Sequence, residues 1–116
     1  MPFDPKRLSE SDACVVLSTF GREEDARRVA RALLDARLVA CVNLLPGVQS
    51  LYRWQGAIEE APEVLAVMKT RRERLPELEA AMTAMHPYEV PELIVLSVPV
   101  GATSYLAWLT SETSVG

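Results

Sequence analysis

The sequence predicts a single α+β domain of the ferredoxin-like type, in which an antiparallel sheet carries two helices on one face. Short apolar runs typical of strands alternate with segments of helical period, in the order β-α-β-β-α-β. Two of these runs, residues 38–54 and 58–70, adjoin and predict a long β2–β3 hairpin, and a short C-terminal helix follows the last strand. A chain of 116 residues fits one such domain, which we assign to residues 13–116. Residues 1–12 are polar, contain two prolines and are expected to form a flexible N-terminal arm.

The first half of the domain consists of a strand and an amphipathic helix. Residues 13–18 are apolar, rich in valine and followed by Gly21, as expected for a short strand. Residues 22–37 carry one apolar stripe at the helical period, formed by Ala26, Val29, Ala30, Leu33 and Leu34. Acidic residues occupy the first turn of this predicted helix, where they complement the helix dipole.

The second half begins with the hairpin. Pro46-Gly47 interrupts the strand at 38–54 and predicts a bulge, because proline donates no ladder hydrogen bond and glycine allows the kink. Gln55-Gly56-Ala57 is the expected hairpin tip. The remaining elements are a helix at 72–85, a strand at 92–98 and a short helix at 103–109.

The apolar pattern of the strands predicts self-association. Residues 14–17, 64–68 and 93–96 are apolar at consecutive positions, so both faces of these strands favour burial, whereas two helices cover only one face. A third helix could cover the other face, but residues 103–109 are too few for this. The strand at 38–54 is also expected to outrun its partners and to leave an unpaired edge. Leu51, Tyr52 and Trp54 on this overhang are the expected oligomer interface.

Bulk properties exclude several functions. A net charge of −4 argues against nucleic-acid binding, and no apolar run is long enough to cross a membrane. No secretory signal is recognisable, and the two cysteines lack metal-site or redox spacing. We therefore expect a cytoplasmic protein with reduced thiols, Cys14 and Cys41.

Few residues could carry chemistry. The chain has one histidine and neither a Gly-x-Ser-x-Gly nor a glycine-rich phosphate motif, so we expect no enzyme. His86, Glu89 and Glu92 lie close together in a proline-stiffened segment and could hold a divalent transition metal. Alternatively, His86 only caps the preceding helix. Both cysteines are expected to be small core residues. A group of acidic residues near the hairpin tip is expected to be a solvated edge: Glu59, Glu60 and Glu63.

Five motifs, in order and spacing, resemble the CutA family of divalent-cation tolerance proteins over about residues 15–109. These motifs are Ala40-Cys41-Val42-Asn43, the segment 50–56, Lys69-Thr70, His86-Pro87-Tyr88 with Pro91-Glu92, and Tyr105-Leu106-x-Trp108-Leu109. The resemblance implies a homotrimer assembled through its sheets, a link to tolerance of copper (Cu²⁺) and other divalent cations, and an alternative signalling or scaffold role like that of trimeric nitrogen-regulatory proteins. In that role a small molecule or protein partner would bind between subunits.

The resemblance also implies metal ligands. The family's suspected ligands fall on Cys41, His86 and Glu92 in this chain. Further cysteines of some members correspond to Ser18 and Ala81, a departure that weakens the expectation of tight copper binding by thiolates. We therefore expect weak metal binding at clefts between subunits.

Overall fold

The computed structural model describes residues 11–115. Four strands form one antiparallel sheet in the order β2-β3-β1-β4, which confirms the ferredoxin-like fold class with a C-terminal helix. In chain order the elements are β1 (Ala13–Phe20), α1 (Glu23–Asp35), β2 (Cys41–Trp54), β3 (Ala57–Arg71), α2 (Leu75–Met85), β4 (Ile94–Ser97) and α3 (Thr103–Glu112). Residues 1–10 of the predicted arm lie outside the described residues. Ser11 donates its backbone N–H to the Pro99 carbonyl, at 3.1 Å.

Several element ends differ from the prediction. Helix α1 ends before residue 37 because Arg37 takes the left-handed conformation, with φ 58°, and residues 38–40 then lead, buried, into β2. The segment Arg72–Arg74 forms a 3₁₀ turn, so α2 begins only at Leu75. Strand β4 is limited to four residues rather than 92–98, and α3 continues three residues past the predicted end.

The hairpin is confirmed, with its tip at Gln55 and Gly56, whose positive φ values of 49° and 82° fit a tight turn. The pairing register shifts between Leu45 and Val48, which confirms the predicted bulge at 46–47. Strand β1 pairs with β3 only from residue 64 onward, so residues 49–62, here called the distal hairpin, extend beyond the rest of the sheet. Strand β3 accompanies β2 along the whole extension, so the overhang has two strands, and among the described residues no strand pairs with the outer edge of β2.

Both α1 and α2 pack on the same face of the sheet. Even-numbered residues of β1 and β3 point to this helix face and form the core with the apolar stripes of the two helices. The core residues with the least exposure include Val16, Phe20, Val29, Leu33, Met68, Leu78 and Met82. Four of the five predicted stripe residues of α1 are buried, Ala26, Val29, Ala30 and Leu33, whereas Leu34 is 40% exposed. Burial of this stripe supplies most of the helix's stability.

The opposite face, here called the open face, is apolar and largely uncovered. By register it carries the odd-numbered residues of β1 and β3 with their partners: Val15, Leu17, Leu45, Leu65, Val67, Ile94 and Leu96. Helix α3 packs over one end only, where Leu109 contacts Ala13 and Ala40. Leu45, Ile94 and Leu96 keep 44–48% of their surface exposed. The prediction of an apolar sheet face that the chain's own helices leave uncovered is confirmed.

Candidate functional site

His86 lies where α2 ends, and its ring turns into the protein. Its backbone N–H closes the helix on the Met82 carbonyl at 2.9 Å, and Pro87 prevents continuation. The ring is 7% exposed and stacks on Phe20, with centroids 4.3 Å apart and planes inclined by 15°. His86 thus joins the loop to the helix-face core instead of capping the carbonyls of α2 with its side chain.

Both ring nitrogens of His86 have hydrogen-bond partners. Nε2 lies 2.8 Å from the Thr19 carbonyl oxygen, and Nδ1 lies 3.0 Å from the backbone nitrogen of Tyr88. A carbonyl only accepts and a backbone N–H only donates, so this network assigns the proton to Nε2 and the lone pair to Nδ1. A metal ion would have to displace one of these bonds before it could bind the ring.

Tyr88 connects the loop to β3. Its hydroxyl donates a 2.5 Å hydrogen bond to Glu63 Oε2. Burial raises the pKa of Tyr88, and the hydrogen bond to Glu63 and the charge of that carboxylate raise it further. The phenol passes close to Gly21, where an added Cβ would lie 3.1 Å from the Tyr88 oxygen. Glycine at the end of β1 therefore makes room for this contact.

Glu63 is buried, with 8% exposure, so its expected place in a solvated acidic edge is wrong. Glu59 and Glu60, in the distal hairpin, are exposed as expected. The difference arises because Glu63 pairs with Val48 at the bulge, on the face that Tyr88 covers, whereas the two others lie beyond the loop's reach.

The loop and the distal hairpin enclose a cleft of about 760 Å³. One wall is the loop after α2, the other is the hairpin, and Thr19 at the end of β1 lies between them. The lining residues are Thr19, Gln49, Ser50, Leu51, Tyr52, Trp54, Glu63, Pro87, Tyr88, Glu89, Val90 and Glu92. Aromatic rings and carboxylates thus meet in one concave site of the size that small-molecule sites have.

The three expected metal ligands are distributed over separate places. Glu92 lines the cleft, His86 stacks behind it on the helix face, and Cys41 lies on the open face, opposite Lys69. Lys69 lies six residue steps from Glu63 along β3, roughly 20 Å at the rise of a strand. Within residues 11–115, no three His, Cys, Asp or Glu side chains gather in a group that could hold a metal ion. The described part of a single chain therefore supplies no complete site.

Cys41 has a polar environment instead of the expected core position. Its thiol lies 3.9 Å from Asn43 Oδ1, and Lys69 Nζ donates to the same oxygen at 2.8 Å. Cys14 is buried on the helix face as expected, and burial raises its pKa. Strand β3 separates the two cysteines, and both are free thiols.

The predicted interface residues occupy both faces of the distal hairpin. Tyr52 and Trp54 pair with Glu59 and Ala57, on the face of Glu63, whereas Leu51 belongs to the opposite face. Leu51 is 65% exposed, more than either aromatic residue.

Sequence reasoning missed three contributors to the cleft, namely Thr19, Glu63 and Tyr88. One signal in the sequence pointed to Glu63. It lies two and four residues before Leu65 and Val67 in β3, so its side chain is expected on the same face of the strand as theirs. No comparable signal existed for the Tyr88–Glu63 contact, which joins residues 25 positions apart.

Comparison with known proteins decides the family. Residues 14–112 match the family described as CutA1 divalent ion tolerance protein. The chain belongs to the CutA1 family. A divalent-cation tolerance protein CutA of Thermus thermophilus is 46% identical over 99 residues, which cover 85% of this chain and 96% of that protein. The resemblance found in the sequence motifs is confirmed.

Solved CutA structures share the fold. CutA of Xylella fastidiosa superposes with a TM-score of 0.87 at 38% identity, covering 90% of this chain and all of that one. A structure described as the periplasmic divalent cation tolerance protein CutA of Archaeoglobus fulgidus gives 0.85 at 32% identity, covering 88% of this chain and 99% of that one. Within residues 11–115, no helix has the length and hydrophobicity needed to cross a membrane.

Proposed function

We propose that this protein works as a homotrimer linked to tolerance of divalent cations, copper first, and that it binds these cations weakly between subunits. The uncovered apolar open face carries this proposal. At about 25 cal/mol per Å² of apolar surface, covering this face with another copy would stabilise an assembly strongly. The number three follows from the resemblance to the CutA family.

The free edge of β2 supports the same assembly. β2 is the outermost strand of the sheet and is 14 residues long, and within the described chain no strand pairs with its outer side. Such an edge favours pairing with another chain. The three residues predicted for the interface all line the cleft, and Leu51 is the most exposed of them. We propose that they lie where the cleft meets the neighbouring copy.

Light scattering at micromolar concentration tests the assembly. We expect a mass of three times 12.8 kDa for the wild type. Leu96→Glu should dissociate the assembly without unfolding the subunit, because Leu96 is already 48% exposed in the single chain. Leu34→Glu is the matched control, since Leu34 is 40% exposed on α1 and lies away from the open face. A stable 12.8 kDa wild-type monomer would contradict the proposal.

The metal site is proposed to form only in the assembly. Within the described part of one chain, Cys41, His86 and Glu92 do not lie together in one group. A complete set of ligands therefore requires donors from more than one subunit. Cys41 and Glu92 are the better candidates, because His86 would have to give up a hydrogen bond. The affinity of a site with N, O or S donors for divalent first-row ions reaches its maximum at copper, which supports copper as the preferred cation.

Calorimetric titration of Cu²⁺ and Zn²⁺ tests this site. We expect weak binding by the wild type, weaker copper binding by Cys41→Ser and Glu92→Gln, and no change in Glu59→Gln, an exposed carboxylate of the distal hairpin. Equal binding by the wild type and both ligand variants would reject these residues as ligands. His86→Ala serves as a further comparison, with circular dichroism to confirm that the subunit is folded.

We also propose that the protein is not an enzyme and that it is cytoplasmic. The single histidine uses both ring nitrogens in structural hydrogen bonds, which leaves the imidazole no free nitrogen for acid–base chemistry. Two free thiols fit a reducing compartment. Cell fractionation at native expression tests the location, and recovery in a periplasmic fraction would contradict it.

A second candidate function is a signalling or scaffold module that binds a small molecule or protein partner between subunits. The cleft between the loop and the distal hairpin favours it, since its size and mixed lining are typical of ligand sites. Native mass spectrometry of the protein purified from its own cells tests this function. A bound organic molecule that disappears in Trp54→Ala would support it.

A further inference from the structure

The cleft has a strongly one-sided charge. Glu63, Glu89 and Glu92 line it, and neither lysine nor arginine is among its lining residues. Glu63 lies at its inner end, 8% exposed, with the Tyr88 phenol as a hydrogen-bond donor. The phenol carries no positive charge, so no residue of the cleft lining compensates the formal charge of Glu63 at this poorly exposed end. Such a site attracts cations and repels phosphates and carboxylates.

Three aromatic rings also line the cleft. Tyr52 and Trp54 come from the hairpin wall and Tyr88 from the loop wall. The faces of such rings attract ammonium groups, and their carbon skeletons pack against methylene chains. Carboxylates and aromatic rings around one cavity therefore fit an organic cation better than a neutral or anionic molecule.

A bare metal ion fits this cleft poorly. A metal requires several ligands within bonding distance of one point, and the described residues contain no group of three that could provide them. The carboxylates come instead from two walls: Glu63 from β3, Glu89 and Glu92 from the loop. An elongated cation with more than one charged nitrogen can reach separated carboxylates that one ion cannot bridge.

We propose that this cleft binds an aliphatic polyamine, with its ammonium groups on the carboxylates of the two walls and its methylene chain along Tyr52 and Trp54. This inference rests on the second proposed function, ligand binding in the cleft, and it shares Glu92 with the proposed metal site. It assigns a chemical class to the ligand and a binding role to Glu63, Glu89 and Glu92.

Spermidine titrated into the assembled full-length protein at low ionic strength tests the proposal. The chain has two tryptophans, so Trp108→Phe leaves Trp54 as the only tryptophan reporter in the cleft. We expect saturable quenching of Trp54 fluorescence and a matching calorimetric isotherm. Glu89→Gln and Glu92→Gln should each weaken binding by about threefold to tenfold, as expected for partly exposed ion pairs.

Two controls localise the effect. Glu59→Gln and Glu60→Gln remove the same charge from exposed positions of the distal hairpin outside the cleft lining, and should leave the affinity within about twofold. Trp54→Ala in the otherwise wild-type protein, followed by calorimetry, should weaken binding by about tenfold or more through loss of the ring face. Equal losses in the cleft and control variants would overturn the assignment, since they would indicate only nonspecific attraction to an acidic surface.

A dicarboxylate of similar length is titrated in parallel. This titration distinguishes failure of the polyamine assignment from failure of the proposed ligand binding in the cleft. Binding of the dicarboxylate without spermidine would overturn the polyamine assignment and leave ligand binding in the cleft standing. Binding of neither compound, together with no copurified molecule, would overturn both. Saturable spermidine binding that depends on Glu89, Glu92 and Trp54 would support both.

Discussion

The Tyr88 hydroxyl donates a 2.5 Å hydrogen bond to the Glu63 carboxylate and so joins the loop after α2 to the third strand. The partners lie on the two walls of the cleft. His86 steadies the same loop from behind, through its stacking on Phe20 and its hydrogen bond to Thr19. The spacing of the walls is therefore set by side chains on both sides of one loop.

Replacement of Tyr88 by phenylalanine tests this connection. Tyr88→Phe removes the donor to a buried carboxylate, so we expect the free energy of unfolding to fall by about 1.5–3 kcal/mol, as for other hydrogen bonds to charged groups. Urea denaturation followed by circular dichroism measures it. Tyr105→Phe on α3, where the side chain is 42% exposed, is the matched control and should change stability little. Similar losses in both variants would argue against the role of the bond.

The same tyrosine predicts an alkaline loss of stability. Burial and Glu63 raise the pKa of Tyr88 in the folded state, so the folded protein holds the phenolic proton more tightly than the unfolded chain does. The resulting stabilisation is complete below the ordinary tyrosine pKa of about 10 and is lost as the pH rises above it. We expect the urea midpoint to fall above pH 10 more steeply for the wild type than for Tyr88→Phe. Parallel curves would contradict the prediction.

Ser18 offers a test of an unsatisfied buried group. It is fully buried on the helix face of β1, and its hydroxyl has no hydrogen-bond partner in the described part of the chain. Such a group costs about 1–3 kcal/mol, so Ser18→Ala should be neutral or more stable by up to about 1 kcal/mol after the small cavity is counted.

Thr70 provides the opposite case for comparison with Ser18. It is equally buried on the same face, but its hydroxyl donates to the Leu38 carbonyl at 2.7 Å. Thr70→Val should therefore lower the free energy of unfolding by about 1–2 kcal/mol. Thermal denaturation of both variants measures the contrast, and a larger loss for Ser18→Ala than for Thr70→Val would contradict it.

Arg74 is expected to be essential for the stability of the C-terminal end of α1. Its guanidinium is 5% exposed and donates to the Arg37 carbonyl at 3.2 Å, while a second nitrogen pairs with Glu77 at 3.1 Å. Arg74→Lys keeps the charge but loses the forked geometry, so we expect a loss of about 1.5–3 kcal/mol. Arg27→Lys, at an exposed pair with Glu23, is the control and should cost less than about 0.5 kcal/mol. Equal urea midpoints for both variants would contradict this role of Arg74.

The sequence was sufficient for features with a local pattern. The stripe from Ala26 to Leu33 identified the buried side of α1, and Pro46-Gly47 identified the bulge, because periodicity and backbone restrictions act over a few residues. The end of α1 was missed because Arg37 adopts a left-handed conformation that its residue type does not favour.

Local sequence patterns were less informative about the candidate site. The sequence singled out the segment that carries Glu92, and this segment forms one wall of the cleft. The burial of Glu63 depends on Tyr88, which reaches it only through the tertiary fold. The ring of His86 faces Phe20 instead of the candidate metal ligands for the same reason. Contacts between distant segments decide which polar residues of a loop become buried, and a single sequence does not show them.

The extra residue at the bulge changes which side chains of β2 lie on each face of the sheet. Before it, the odd-numbered residues Asn43 and Leu45 face the open side, and after it the even-numbered residues do. Deletion of Gly47 would leave a regular ladder in which Tyr52 and Trp54 keep the face of Glu63, because their pairing with Glu59 and Ala57 would be unchanged. In a regular ladder that kept Gly47, Leu51 and Arg53 would instead take their place. The backbone conformation at 46–47 thus decides which side chains form the wall of the cleft.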